Sequence, residues 1–249
     1  MITLSSDFGD PYPAAMKGVL RTHTDAELID VSHRFPRQDV RAAAFWLTQT
    51  LPYFPPATHL VVVDPGVGTE RAALVVRAGE HALVGPDNGV LLPAARELGN
   101  VEVFEWHYDA PASNTFHGRD VFAPAAAQVH EAGVENIESL DHIEPTDDYV
   151  DLALPEADVG ATEAAGEVLV VDDFGNVVTN VPGEVLARAG ETVAVNGEAV
   201  PTARAYAERG PGERLVTVGS HGNVELAVRE GRGDDAFGLA PGDAVGLEW

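Results

Sequence analysis

The stretch Val61-Val62-Val63-Asp64-Pro65-Gly66-Val67-Gly68-Thr69-Glu70-Arg71 decides how this chain is read. Three consecutive Val residues are the buried end of a strand, and Asp-Pro-Gly turns the backbone sharply after it. A carboxylate at the carboxyl end of a buried strand, ahead of a Gly-rich turn, stands where open α/β sheets assemble ligand sites. Arg71 lies across that turn, so one loop presents an acid and a guanidinium together. The same residues also suit a capped turn with a surface ion pair, which stabilises little. The rest of the chain separates these alternatives.

Outward from this loop, strand and helix patterns alternate. Apolar strands are expected at 2–6, 28–32, 59–63, 74–77, 82–84 and 101–106. Between them, Ala14, Met16, Val19 and Leu20 follow Pro13 at helical spacing, and Asp39 can cap a helix through Ala44 and Leu47. An Ala-rich helix is expected at 119–130, with Pro124 in its first turn or at a kink. The alternation predicts an α/β domain over residues 1–142 with a mainly parallel central sheet. Residues 143–163 are rich in Asp, Glu, Pro and Ala without a period and read as a linker. Residues 164–249 carry short strand patterns, with Asn196-Gly197 as a hairpin signal, and predict a smaller antiparallel β-barrel-like domain.

Composition narrows the function classes. The chain has 249 residues, 45% of them hydrophobic, which fits a globular protein. No apolar run approaches the ~20 residues of a membrane span and no leader pattern precedes the first strand, so a soluble, cytoplasmic protein without a membrane partner is expected. The absence of Cys removes disulfides, thiolate nucleophiles and Cys-ligated zinc. Asp plus Glu is 40 against 15 for Lys plus Arg, a formal net charge of −25, and Lys17 is the single lysine. Nucleic acid is a poor partner for such a chain, since phosphate contacts need a basic face. The excess reads instead as halophilic, an adaptation to a high-salt cytoplasm where screening weakens self-repulsion. Most carboxylates then serve solvation, and counting them does not locate a site.

Five polar turns follow the expected strands in order: Ser6-Asp7-Phe8-Gly9, Asp64 through Arg71, Gly85-Pro86-Asp87-Asn88-Gly89, Thr115-Phe116-His117-Gly118-Arg119-Asp120 and Asp172-Asp173-Phe174-Gly175-Asn176. Together they resemble the S-adenosyl-L-methionine (SAM) hydrolases that form adenosine, also called SAM hydroxide adenosyltransferases, relatives of the SAM-dependent fluorinase and chlorinase. The resemblance implies a homotrimer with sites between one subunit's N-terminal domain and a neighbour's C-terminal domain. It implies SAM as substrate, with no cofactor and no metal. Asp64, Arg71 and His117 match the set that distinguishes the hydrolases from the halogenases, and Gly118 stands where the fluorinase has Ser. Asp7 matches the Asp that grips the ribose hydroxyls. Asp172 matches the residue that binds the methionine ammonium, and Asn176 one that faces adenine. Phe174 and Tyr206 match aromatic positions beside that base, and Ser220 a contact to the methionine carboxylate. His221 departs from the Arg of the fluorinase.

The residue types suit the chemistry. Methionine is already a good leaving group from a sulfonium, so the enzyme needs an oxygen nucleophile held in line behind C5′. Arg71 cannot act as a base, but it can hold water and stabilise negative charge on it. Either Asp64 or His117 can take the proton. A carboxylate such as Asp7 accepts from both vicinal hydroxyls of a ribose. Against these stand blander roles: a strand-end cap for Asp7, a core ring for Tyr206, a structural His33 and an Arg119–Asp120 pair, while Asp87 and Asn88 suit either turn chemistry or site support. Three other functions fit part of the pattern: a SAM-dependent halogenase, a metal-dependent phosphohydrolase using Asp7, Asp64, Asp87, His117 and Asp120, and a SAM or adenosine binding module without turnover.

Overall fold

In a computed structural model, which describes residues 1–109 and 111–249, the chain divides into two compact units, Met1–Leu154 and Pro155–Trp249. In the first unit β1 (Ile2–Ser6), β2 (Leu28–Ser32), β3 (Thr58–Val62), β4 (Ala73–Ala78), β5 (His81–Pro86), β6 (Val101–Trp106) and β7 (Ile143–Pro145) form one sheet in the order β2-β1-β3-β5-β4-β6-β7. The helices are α1 (Tyr12–His23), α2 (Val40–Thr50), α3 (Leu92–Leu98) and α4 (Ala123–Ala132). Local chemistry starts them. Pro13 sits in the first turn of α1, where no donor is lost, Pro124 closely follows the π-helical turn Gly118–Phe122 that runs into α4, and Asp39 caps α2 by accepting from the Ala42 amide at 2.9 Å.

The Val run explains the layering. Leu60 and Val62 pack with Met16 and Leu20 of α1 and the Ala face of α4, while Val61 and Val63 pack with Ala44 and Leu47 of α2 and Leu92 of α3. Side chains alternate along a strand, so a run apolar at every position needs cover on both faces. Strands β2, β1, β3 and β5 are parallel, and their carboxyl ends bring Asp7, Asp64 and Asn88 to one edge. The sheet is antiparallel over β4, β6 and β7. Gly79-Glu80 alone joins β4 to β5, and so short a connection makes a hairpin, whereas a parallel pair needs a long crossover.

The segment 143–163 is more ordered than its composition suggests. Ile143 enters one core cluster, Tyr149 and Leu152 pack on the other, and β8 (Asp158–Val159) pairs with β9 (Glu163–Val171). The second unit continues with β10 (Val177–Pro182), β11 (Thr192–Val195), β12 (Glu198–Pro201), β13 (Arg214–Val218), β14 (Asn223–Val228), a short helix α5 (Gly233–Phe237) and β15 (Ala244–Glu248). The strand order is β12-β11-β15-β9-β10-β14-β13, with every strand pair antiparallel. A bridge from Thr202, just past β12, to Val216 of β13 brings the two edges together, so the sheet is nearly closed. Asn196 and Gly197, both at positive φ, turn β11 into β12 as the Asn-Gly pair predicts. The barrel is filled mainly by Val: Val168, Val177, Val181, Val193, Val216 and Val224. Among the described residues no helix is long and apolar enough to cross a membrane.

Candidate active site

Asp64 sits two residues past the end of β3, with 6% of its side chain exposed. Arg71 returns across the loop and pairs with it in two contacts: Nη1 donates to Oδ1, and Nη2 donates to Oδ2 at 2.6 Å. The Gly66 amide is the third donor to the carboxylate, and the second to Oδ1, at 3.0 Å. A Cβ at position 66 would stand 3.0 Å from Arg71 Nη1, so Gly66 leaves the space through which the guanidinium reaches the acid. Burial is the largest influence on the Asp64 carboxyl and raises its pKa, against the pull of Arg71, the Gly66 amide and His117. Asn88 secures the same strand end, donating from Nδ2 to the Val63 carbonyl at 2.9 Å, while Asp87 accepts from the Val150 amide.

His117 lies near enough for its charge to act on Asp64, and only 4% of it is exposed. It opens the π-helical turn Gly118–Phe122 that leads into α4; such turns are uncommon and recur at functional sites. Gly118 permits the approach, since a Cβ there would lie 2.9 Å from Met16 Sδ and 3.1 Å from Val62 Cγ1. Among the described residues, His117 Nδ1 and Arg71 Nε are both buried without a hydrogen-bond partner. Arg119 and Asp120 pair with each other at 2.6 and 2.9 Å.

Asp7 follows β1, and its Oδ2 accepts from the Gln38 amide at 2.6 Å. Phe8 and Phe116 meet edge to face at 6.0 Å, with Tyr12 packed against both, so the Asp7 and His117 loops share an aromatic contact. The first unit thus gathers Asp7, Asp64, Arg71 and His117 at one edge of its sheet. Among the described residues no group of three or more His, Asp or Glu is placed to hold a metal ion.

In the second unit Asp172 organises its own turn. Oδ1 accepts from the Phe174 and Asn176 amides at 2.9 and 2.8 Å, and Oδ2 from Asn176 Nδ2 at 2.9 Å. Phe174 is left 79% exposed. Tyr206 is held by Glu225, to which its hydroxyl donates; burial, then Glu225 and the nearby Asp172, raise the pKa of that hydroxyl. Ser220 is exposed at the tip between β13 and β14. His221 turns inward, with Nε2 3.4 Å from Glu225 Oε2 and Nδ1 accepting from the Asn223 amide at 3.2 Å. The 229–235 segment buttresses the Asp172 turn through the Asp234 amide, which donates to the Gly175 carbonyl at 2.9 Å.

The sequence pattern of the SAM hydroxide adenosyltransferase N-terminal domain matches residues 2–140, and that of the family's C-terminal domain matches residues 166–246. The chain belongs to the SAM hydroxide adenosyltransferase family. Among curated relatives, an "(R)-S-adenosyl-L-methionine hydrolase" of Salinispora tropica is 42% identical over 98% of this chain and 96% of its own length. A protein of the same name from Thermus thermophilus is 40% identical over 97% of both. A fluorinase of Actinoplanes sp. is more distant, 24% identical over 76% of this chain and 74% of its own. Of the solved structures, a conserved protein from Thermotoga maritima superposes with a TM-score of 0.86 at 33% identity, covering 99% of this chain and 100% of the other. A conserved protein from Thermus thermophilus gives 0.77 at 37%, covering 99% and 98%.

In this member of the SAM hydroxide adenosyltransferase family, motif reading picked out the acids and His117, left Asn88 between turn chemistry and site support, and passed over Glu225, which holds Tyr206 and His221. Glu225 stands in the strand pattern 224–228 as a lone acid among apolar residues, and that was the available signal: a charge in a buried strand needs partners. The bond from Asn88 to Val63 had no such signal, because it joins two strand ends distant in sequence.

Proposed function

We propose that this chain hydrolyses SAM to adenosine and L-methionine, with water attacking C5′ in line with the departing sulfur. The observation that carries this is the pair of buried polar atoms, His117 Nδ1 and Arg71 Nε, left without partners among the described residues beside the Asp64–Arg71 pair. One is a donor and the other, in the tautomer protonated at Nε2, an acceptor. Buried polar groups are costly without partners, and a water held by two to four such groups satisfies them. The oxygen of that water forms the bond to C5′ as the C5′–S bond breaks; the electron pair goes to sulfur, giving the thioether of methionine. The proton goes to His117 Nδ1. Asp64 is the weaker candidate for base, because both its oxygens already accept from Arg71 and Gly66; it orients the guanidinium. The hydrolase names of the relatives support this reaction, and the crowding at Gly118 leaves no room for the Ser of the fluorinase without movement of Met16.

In the same proposal Asp7 grips the ribose, Phe174, Asn176 and Tyr206 receive the adenine, and Asp172 and Ser220 the methionine end. Asp172 Oδ2 accepts a single bond within its turn, which leaves acceptor capacity for an ammonium. The active species is a homotrimer with sites between subunits, working in a salty cytoplasm without a cofactor. The test is turnover in ¹⁸O-water at high salt. The label is expected in the adenosine 5′-hydroxyl; methylthioadenosine or S-adenosylhomocysteine as product refutes the reaction.

A further inference from the structure

Beside Asp7 runs a chain of side chains that the proposed chemistry does not use. Ser6 Oγ is 2.7 Å from His33 Nδ1, His33 Nε2 is 3.0 Å from Asp30 Oδ1, and Lys17 Nζ donates to Asp30 Oδ2 at 2.5 Å. Order of residue types resembles a nucleophilic triad, but Ser6 is fully buried and presents no oxygen to a substrate. Asp30 settles the proton positions instead. A carboxylate only accepts, so Nε2 carries a proton, and in the neutral ring Nδ1 accepts from the Ser6 hydroxyl.

The backbone converges on the same place. The β1–β2 ladder pairs Leu4 with Asp30 but Ser5 with Ser32, so one extra residue is accommodated in β2 just before His33. Such bulges bend a strand and re-aim the residues after it. The His33 carbonyl accepts from the Gly9 amide at 2.9 Å, and the Phe35 amide donates to the Ser6 carbonyl at 3.3 Å. Gln38, farther along this connection, is held at φ 60°, uncommon for a residue with a side chain, with its amide on Asp7 Oδ2. His33 therefore touches the Asp7 loop on both sides of the carboxylate, through its ring at Ser6 and its carbonyl at Gly9. Among the described residues the hydrogen bond to the Asp7 carboxylate falls on Oδ2, which leaves Oδ1 for the ribose in the proposal.

We propose that His33 is a positioning residue for Asp7: the Lys17–Asp30–His33–Ser6 chain sets the angle at which the carboxylate meets the ribose diol. The inference rests on the proposed SAM hydrolysis and extends it to residues that never touch SAM. A diol grip acts equally on substrate and transition state, so its loss raises KM and leaves kcat in place.

The experiment compares the parent with His33→Phe, which keeps a ring and the main-chain bond to Gly9 but no side-chain hydrogen bonds, and His33→Asn, whose side-chain carbonyl can accept from Ser6. His33→Phe is expected to raise the KM for SAM about 10–100-fold with kcat within about twofold, and to weaken adenosine binding in calorimetry in parallel, whereas His33→Asn recovers most of the loss. An unchanged KM in His33→Phe, a fall in kcat at constant KM, or an Asn variant no better than Phe overturns the proposal. Should His33→Phe fail to fold, Asp30→Ala carries the test, with a smaller rise in KM expected and an unchanged KM overturning it. A parent that releases no adenosine from SAM refutes the reaction itself, an outcome separate from an active parent whose variants behave alike.

Discussion

In the proposed reaction Asp64, Arg71 and His117 divide one task by their available lone pairs and protons. Asp64 has donors on both oxygens, Arg71 spends two nitrogens on it, and among the described residues His117 Nδ1 has no partner, which in the proposal leaves it for the reacting water. His117→Gln, removing the base, should lower kcat by about 10²–10⁴-fold with little change in KM, measured by adenosine release. Asp64→Asn should fall in the same range, since the guanidinium loses its orienting charge. Gly118 acts by its size: a Cβ there meets Met16 and Val62 at 2.9 and 3.1 Å. Gly118→Ala should destabilise by about 1–3 kcal/mol, read as a lower Tm in calorimetry. The residue types were legible as chemistry in the linear chain. Which oxygen or nitrogen remains free was not, because that depends on backbone amides such as Gly66 that carry no side-chain signal.

At the scale of elements, β3 carries a consequence at each end. Its carboxyl end presents Asp64; its amino end holds His59, fully buried, with Nδ1 2.7 Å from Thr3 Oγ1 and Nε2 3.0 Å from His81 Nδ1. Burial, reinforced by His81, lowers the His59 pKa from 6.5 to about 3, and burial lowers that of His81 as well. Above the ordinary value both folded and unfolded rings are neutral. Below it the unfolded chain takes up protons that the folded pair refuses, so stability falls as pH drops from about 6.5 toward 3. The slope from one such ring is about 1.4 kcal/mol per pH unit. Urea unfolding of the parent and His59→Gln across this window checks it: the parent should lose stability more steeply as pH falls. The alternation of elements was readable throughout the first unit, and so was the Asn196-Gly197 hairpin. The antiparallel turn of the sheet at β4 depended on a two-residue connection that periodicity does not weigh.

For the whole molecule the governing quantity is a formal charge of −25 on 249 residues. Self-repulsion of that size opposes compaction, and salt screens it, with a Debye length of about 10 Å at 0.1 M and 3 Å at 1 M. The thermal midpoint is expected to rise by several degrees between 0.1 M and 2 M KCl, followed by circular dichroism; a flat or falling midpoint contradicts the high-salt adaptation. Each unit has its own core, so calorimetry should also show whether they melt together or separately.

The amino-acid sequence by itself determined the class of fold, the family and the order of the five polar turns, and it supplied the groups on which the proposed chemistry rests. Those are properties of local pattern: the faces of strands and helices, the turn residues, the charge on a side chain. Only the tertiary structure decided that Arg71 closes on Asp64 in two contacts, that His221 turns inward onto Glu225, and that His33 joins Lys17 to the Asp7 loop. Each of these is a hydrogen bond of about 3 Å, and spacing along the chain determines which face a side chain takes but not which distant atom it meets.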